Sequence, residues 1–193
     1  ANELTALLAN KMQTEGISFK KVKQNCKMIL SRFAEIPREN EEKVKVGVVG
    51  EIYVKYSPLG NNNLEQFLID EGAEVVVPGL LDFFMYCIVS NISDIELYGL
   101  HKIRKPMLNF VFGYLQKQQN EIIELMKTDG NFTPPTPIAH TMNLIKDFMG
   151  FGTKMGEGWL LPAEMLELND EGVHNIVCTQ PSAACRTTYA ARA

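Results

Sequence analysis

The pattern of apolar and polar positions is clearest in the segment 44–78, where a helical spacing lies between two strand-like runs. The runs Val44–Val49 and Val75–Val77 are rich in valine, a residue that favours pleated, packed surfaces. Because these runs are apolar without alternation, they are typical of strands covered on both faces. The segment therefore predicts a strand–helix–strand unit, whose two strands would be parallel.

The stretch between the two runs predicts a short helix with signals at both ends. Asn63 and Gln66 form the pattern of a capping box, in which the Asn63 side chain accepts from an amide near Gln66. Gly72 stands where a left-handed C-terminal cap is expected. We expect the apolar face of this helix to be buried. Its members are Leu64, Phe67 and Leu68.

Helical spacing recurs on both sides of this unit, and Ser18 is the expected N-cap of the second helix. The predicted helices are Glu3–Thr14, Phe19–Ile36, Leu80–Ser90, a long helix from Pro106 to Asp129, Ile138–Met149 and Trp159–Asn169. The expected buried stripe of the long helix is Met107, Phe110, Val111, Tyr114, Ile122, Leu125 and Met126. A third strand is predicted at Asn175–Cys178, and a short break at Ser93–Gly99, unless an additional edge strand lies near Asn91–Leu97.

This order of elements predicts an α/β fold, a three-layer, Rossmann-like sheet that is mainly parallel, with extra helices at the N-terminus. We divide the chain into an N-terminal helical segment, 1–43, an α/β domain, 44–181, and a tail, 182–193. Two glycine-containing segments of the α/β domain then become candidates for a functional site.

The first candidate segment is the stretch 50–62, which is long for a loop of an α/β unit, where about two to six residues are usual. Ligands of such folds bind at the carboxyl ends of the parallel strands. The second is the glycine run 150–158, which precedes the helix at Trp159 and resembles an anion site at a helix N-terminus. Its spacing matches neither the P-loop nor the dinucleotide fingerprint, and a flexible hinge explains it equally well.

The candidate ligand-binding residues are Glu51, Tyr53, Asn61, Asn62, Asp82, Gly156, Glu157 and Gly158. Asp82 lies in the first turn of the predicted helix after Pro78, and a favourable interaction with the helix dipole is its simpler interpretation. We expect all the others to face one cleft above the strand ends. No pair of acidic residues is placed by the sequence for acid–base catalysis, and no nucleophile elbow or metal motif is present.

Composition narrows the class of protein. Apolar residues make up 46% of the 193 residues and charged residues 22%, as in ordinary globular domains. The net charge of −4 gives no reason to expect nucleic acid or acidic lipid as a partner, and no apolar run reaches the length of a membrane span. The start does not resemble a signal peptide, so we expect a cytoplasmic protein. None of the four cysteines forms a Cys-x-x-Cys pair, and we expect Cys26 and Cys87 to be buried, inert thiols.

Three stretches, 44–84, 156–168 and 174–181, resemble the dehydratase-like region of large bacterial proteins. Those proteins are described as activators of (R)-2-hydroxyglutaryl-CoA dehydratase or as CoA-substrate-specific enzyme activases. The strings GEIY at 50–53 and LGNN at 59–62 are the most specific part of the resemblance. ATPase modules commonly precede this region, and none of their phosphate loops occurs here. The chain is therefore expected to be a fragment that is inactive alone.

The resemblance implies a redox chemistry for the parent protein. In that family, ATP hydrolysis drives one electron from the [4Fe–4S] cluster of an activator onto a dehydratase with its own [4Fe–4S] cluster, and the reduced acyl-CoA loses water as a ketyl radical. The resemblance also implies that acyl-CoA and other domains of the parent protein are partners and that the source is an anaerobic bacterium. The alternative is an α/β ligand-binding or scaffolding module without a redox role.

The tail departs from the family pattern. After Pro181 the family would continue Phe-Gly-Cys-Leu-Pro-Asn-His, but here the sequence reads SAACRTT. If the family peptide is written in suitable codons, deleting one base from its Phe codon shifts the reading frame and yields this sequence. We therefore interpret 182–193 as an out-of-frame or disordered tail. Cys185 receives no ligand role. Cys178 matches the family by position and is the candidate metal ligand, or else a core residue at a strand end. We expect no cluster in this fragment.

Overall fold

The computed structural model describes residues 2–15, 19–37, 41–99 and 101–181. The predictions for Ser18, for Cys185 and for the tail 182–193 lie outside the described residues. The chain divides into two compact units. The first comprises 1–41 and 118–134, and the second comprises 42–117 and 135–193.

The described elements follow the predicted order of helices and strands, with one additional helix. They are α1 (Asn2–Glu15), α2 (Phe19–Ala34), β1 (Lys45–Gly50), α3 (Ile52–Tyr56), α4 (Leu64–Asp70), β2 (Glu74–Val76), α5 (Leu80–Tyr98), α6 (Lys105–Asp129), α7 (Ile138–Ile145), α8 (Leu160–Asp170) and β3 (Asn175–Thr179). A 3₁₀ turn at Lys102–Arg104 precedes α6.

The three described strands form one small, open, parallel sheet in the order β2-β1-β3. In the register, Val46 of β1 lies opposite Val75 on one side and Asn175 on the other. Within the sheet, the most buried residues are Val48 and Val49 of the central strand, which are 3% and 0% exposed. The prediction of a mixed α/β chain with a parallel sheet is therefore confirmed.

Helix α8 packs directly against the sheet because β1 has no side chain at Gly47. A Cβ at Gly47 would lie 2.6 Å from a methyl carbon of Leu168, so the helix occupies that space. Leu168 joins Val49 and Val173 in a buried cluster beside the half-buried thiol of Cys178. Apolar contact at this close approach fixes α8 against the central strand.

A second buried cluster of the same unit surrounds Trp159, the residue just before α8. The Trp159 ring is fully buried, and its centroid lies 5.0 Å from the rings of both Tyr86 and Phe151. Its indole N–H donates to Ser90 Oγ at 3.3 Å, which satisfies the one polar atom of the side chain. This cluster holds the start of α8 against α5.

The first unit consists of α1, α2 and the second half of α6. Gln119 and Ile123 of α6 are buried there, each 3% exposed. Lys23 of α2 pairs with Glu121 of α6 at 3.4 Å on the surface of the unit. No described helix is long and apolar enough to cross a membrane.

The predicted break or edge strand within 91–99 is wrong, because α5 continues unbroken to Tyr98. The polar residues of this interval have partners that a helix permits. Asn91 Nδ2 donates to the Cys87 carbonyl one turn earlier at 2.7 Å, and Asp94 pairs with Lys154. Ile95 keeps the apolar spacing and is buried. The helix ends at Gly99, whose φ of +68° is the left-handed conformation of a C-terminal cap.

The predicted ends and face of α4 are partly wrong. Gly72 does adopt the left-handed conformation, with φ of +86°. Asn63 is itself left-handed, with φ of +55°, and its side chain makes no capping hydrogen bond. Asn61 Oδ1 instead accepts from the Leu64 amide at 3.2 Å. Phe67 is 57% exposed, whereas Leu64 and Leu68 are half-buried, so the predicted apolar face is only partly covered and Phe67 lies outside it.

The first half of α6 also presents the opposite face to the one expected. Met107 and Phe110 are 61% and 75% exposed, and Val111 is exposed as well. Phe112 packs against the cluster around Trp159, and Leu108 is half-buried one turn earlier. The helix carries apolar side chains on both faces, and periodicity alone could not tell which one is inside. Two smaller differences are that Cys26 and Cys87 are only half-buried and that α7 ends at Ile145.

Candidate functional site

The carboxyl ends of β1 and β3 meet in a close backbone contact. Gly50, the last residue of β1, has φ of +149°, and a Cβ on it would lie 2.0 Å from the Thr179 carbonyl oxygen. Only glycine fits there. The Glu51 amide donates to the same oxygen at 3.2 Å, and Thr179 Oγ1 donates to the Val49 carbonyl at 3.2 Å. The chain therefore leaves the sheet at a fixed point.

Helix α3 follows at once and places a lysine inside the protein. The expectation of an irregular loop is wrong for this segment. The Lys55 side chain is 3% exposed, and its Nζ lies 2.7 and 3.0 Å from the two carboxylate oxygens of Glu164 on α8. Burying either charge alone would be costly because it loses its hydration, so each requires the other. This buried pair ties α3 to α8.

Two glutamates of α8 face the interior one turn apart. Burial raises the pKa of Glu164, and the Lys55 ammonium opposes that rise. Burial raises the pKa of Glu167 to about 8, although the Thr141 hydroxyl, which donates to Glu167 Oε2 at 2.7 Å, lowers it. Glu167 is therefore mostly protonated at neutral pH. The interior of this edge holds both an ion pair and a neutral carboxylic acid.

Glu157 lies in the glycine turn before α8 and contacts the first residue of α3. Its backbone φ is +55°, a conformation that residues other than glycine rarely adopt. Oε1 accepts from the Ile52 amide at 3.3 Å, and Oε2 is buried without a hydrogen-bond partner among the residues that the structure describes. Only 9% of the residue is exposed. Burial raises its pKa most, the Ile52 amide lowers it, and the Glu51 carboxylate raises it further.

The glycines beside Glu157 make this turn possible. Gly156 has φ of +62°, and a Cβ on Gly158 would lie 2.3 Å from the Thr153 carbonyl oxygen. That oxygen accepts from the Trp159 amide at 2.8 Å. Gly156 and Gly158 thus shape the backbone that positions the Glu157 carboxylate, a more specific role than a hinge.

Asp82 belongs to the same electrostatic neighbourhood. It is 5% exposed in the first turn of α5, and its charge contributes to raising the pKa of Tyr56, Glu164 and Glu167. The Tyr56 hydroxyl donates to the Pro78 carbonyl just before α5. The start of α5 therefore adds a fourth carboxyl group to those of Glu157, Glu164 and Glu167.

The asparagine segment after α3 contacts that helix through Asn61. Asn61 Nδ2 donates to the Lys55 carbonyl at 3.3 Å, so Asn61 and Glu157 both bond to the backbone of α3. Asn62 is exposed in the left-handed conformation, with φ of +57°. Tyr53 is 63% exposed, and its ring lies over Gly60. These last two side chains lie outside the buried group of charges.

Cys178 lies on β3, half-buried beside the sheet cluster. Its Sγ accepts from Gln180 Nε2 at 3.2 Å, and burial raises the pKa of its thiol. A [4Fe–4S] cluster needs a set of thiolate ligands. Within residues 2–15, 19–37, 41–99 and 101–181, no three His, Cys, Asp or Glu side chains are grouped to hold a metal. The described residues therefore don't fit a cluster by themselves.

Sequence reasoning missed Lys55, Glu164 and Glu167, which lie at the centre of the site. A signal existed in α8, where the two glutamates fall at the spacing of the buried Leu160 and Leu168. A charged residue at an apolar position of a helix predicts a buried, partnered charge. No comparable signal marks Lys55, because α3 was not predicted.

The arrangement can accept hydrogen bonds and hold a proton. Its unsatisfied atom, Glu157 Oε2, is an acceptor, which suits a donor such as a hydroxyl or amide N–H. Glu164 and Glu167 provide carboxyl groups whose raised pKa values permit proton exchange near neutral pH.

Comparisons of the chain with protein-family models, with curated proteins and with solved structures gave no significant match.

Proposed function

We propose that residues 44–181 form a ligand-binding domain of a 2-hydroxyacyl-CoA dehydratase or activase system, built on a three-layer, Rossmann-like fold. The support comes from the resemblance of three sequence stretches and from the place where two of them meet. The Glu157 turn belongs to one stretch and α3 to another, and they join through the bond from the Ile52 amide at the carboxyl end of β1. Ligands of parallel α/β sheets bind at that end.

The observation that carries the proposal is the unsatisfied oxygen of Glu157. A buried carboxylate oxygen without a donor is costly, and a bound ligand with a hydroxyl or amide N–H would remove that cost. A 2-hydroxyacyl-CoA thioester carries both groups, a hydroxyl on the acyl chain and amides in its pantetheine arm. The ligand's donor would approach Glu157 Oε2 beside the Lys55–Glu164 pair.

The parent protein would be cytoplasmic and would have acyl-CoA and its own further domains as partners. Any [4Fe–4S] cluster would need ligands in addition to the described residues, and we assign no step to one in this chain. The second candidate is an α/β ligand-binding or scaffolding module without a redox role. It is favoured by the observation that the described residues contain no group of three His, Cys, Asp or Glu side chains that could hold a metal. An anaerobic preparation of the full-length parent distinguishes the two through iron–sulfur absorbance.

Fluorescence of Trp159, the single tryptophan, provides the binding test because it lies two residues from Glu157. We expect (R)-2-hydroxyglutaryl-CoA to change this fluorescence with saturation, and Glu157→Gln to weaken binding about tenfold or more, since the variant places an N–H donor beside the ligand's donor. Glu74→Gln, at an exposed carboxylate on β2, is the matched control. Absence of saturation up to about 1 mM, or equal binding by both variants, would overturn the proposal.

A further inference from the structure

The first half of α6 has an exposed apolar surface, which we call the outer face of α6 and define by Ile103, Met107, Phe110 and Val111. Ile103, in the turn before the helix, is 94% exposed, and Phe110 is 75% exposed. These positions are separated by four, three and one residues, which is the spacing of a coiled-coil seam with one flanking position. The opposite side of the helix already packs inward through Phe112. A helix that is apolar on both sides is typical of one covered on both sides.

Gly113 gives this face a recess. It lies one turn after Phe110, inside α6, where glycine costs about 1 kcal/mol relative to alanine. A Cβ built on Gly113 would meet no atom within 4 Å, so the core does not require glycine there. A glycine that flanks the exposed seam permits another backbone to approach closely on the Phe110 side of the helix.

The segment that carries the outer face contains only positive charges. Residues 97–120 contain no Asp or Glu, although the whole chain has a net charge of −4. Lys105 is paired with Glu96 at 2.8 Å. Lys102 and Arg104 are exposed at the beginning of the face, and Lys117 is exposed two turns after Phe110 on the same side. The apolar seam is thus bordered by cations at both ends.

We propose that the outer face of α6 binds an amphipathic helix of a partner protein, whose apolar stripe covers Phe110 and whose flanks carry Asp or Glu. Opposite charges across such a groove select the partner and its orientation. A second copy of this chain is disfavoured because it would bring the same cations together. An anionic membrane is disfavoured because polybasic membrane sites use clusters of about four to eight cations, more than the exposed ones here.

The probe is a fluorescently labelled synthetic helix with leucine at positions a and d and glutamate at e and g. A matched peptide carries lysine at e and g. We expect fluorescence anisotropy of the full chain to show binding of the glutamate peptide that weakens with salt, and at least about tenfold weaker binding of the lysine peptide. Phe110→Ser should reduce affinity for the glutamate peptide at least about tenfold, as for a central aromatic anchor.

Two exposed positions elsewhere in the same unit supply the controls. Phe148→Ser changes a phenylalanine that is 78% exposed, and Lys146→Glu changes an exposed lysine of the segment after α7. Both should bind the glutamate peptide as wild type does. Arg104→Glu should weaken that peptide and strengthen the lysine peptide, a reversal that partial unfolding would not produce. Circular dichroism checks that each variant is folded.

Four results would overturn the proposal. They are equal binding of the two peptides, no binding up to about 1 mM, dimerisation of the chain that Phe110→Ser abolishes, and binding to vesicles of phosphatidylglycerol and phosphatidylcholine that Phe110→Ser abolishes. The third would assign the face to a second copy, and the fourth to a membrane. None of them depends on the acyl-CoA site proposed above.

Discussion

Helix α8 places two glutamates inside the protein, whereas the first half of α6 places Met107 and Phe110 on its surface. Glu164 and Glu167 are 2% and 9% exposed, and Phe110 is 75% exposed. Both helices therefore depart from the usual distribution of polar and apolar side chains, but in opposite directions. The two cases differ in where their partners lie.

The partners of the α8 glutamates belong to the same unit. Lys55 meets Glu164 with two contacts, and the Thr141 hydroxyl meets Glu167. Among the residues of this unit that the structure describes, none covers the outer face of α6, and we therefore propose an external partner for it. The two helices show that the burial of a side chain depends on the partners that the fold brings to it, and not on its polarity alone.

The largest expected effect comes from separating the buried pair. Glu164→Ala removes both contacts to Lys55 Nζ and leaves a buried ammonium without its counter-ion. We expect the free energy of unfolding to fall by about 3–5 kcal/mol, the cost of an uncompensated buried charge. Urea unfolding followed by circular dichroism measures this loss.

A double variant sharpens the interpretation. Lys55→Met combined with Glu164→Leu replaces both charges by apolar groups of similar length, and we expect its stability to lie within about 1 kcal/mol of wild type or above it. Equal destabilisation in the single and double variants would mean that packing, and not charge pairing, holds α3 to α8.

The next effect is a pH dependence that originates at Glu167. Its pKa is raised from 4.5 to about 8 by burial, so folding favours the protonated acid. A raised pKa contributes stability that is complete below 4.5 and is lost as the pH rises through the folded-state pKa of about 8. Glu167→Gln keeps a neutral side chain that can still accept from Thr141. Between about pH 5 and about pH 9, we expect wild type to lose on the order of 1–4 kcal/mol more than the variant.

Chemical denaturation at a series of pH values measures this difference. Glu65→Gln, at an exposed glutamate in the first turn of α4, is the matched control and should follow the wild-type curve. Parallel curves for wild type and Glu167→Gln would show that Glu167 is ionised in the folded protein and that its burial is compensated in another way.

The main elements of the fold could be predicted because their signals are local. Valine runs identified β1 and β2, and helical spacing with a terminal glycine identified α4 and its end at Gly72. The five-residue helix α3 was too short to show a period. Helix α5 continues through the predicted break at Ser93–Gly99, because Asn91 bonds to the preceding turn and Asp94 pairs with Lys154, a residue far away in the sequence.

The site could be predicted only in part. The rule that ligands bind at the carboxyl end of parallel strands pointed to Glu51 and Glu157, and the structure brings both near α3. Lys55 and Glu164 are 109 residues apart in sequence, and only the tertiary fold pairs them. For the same reason, periodicity identified apolar faces on α4 and α6 but could not tell which one meets a core.

The smallest expected effect concerns the apolar face of α4, which the sequence suggested was buried. Phe67 is 57% exposed, so truncation opens no cavity and removes little area from the interior. We expect Phe67→Ala to change the free energy of unfolding by less than about 0.5 kcal/mol, in place of the loss of a buried aromatic. Leu160→Ala, at a residue 2% exposed, provides the contrast and should cost about 2–5 kcal/mol in the same urea titration. If Phe67→Ala also lost about 2–5 kcal/mol, the apolar face of α4 would be covered by another part of the protein in solution. The exposed apolar residues of α6 would then be weaker evidence for an external partner.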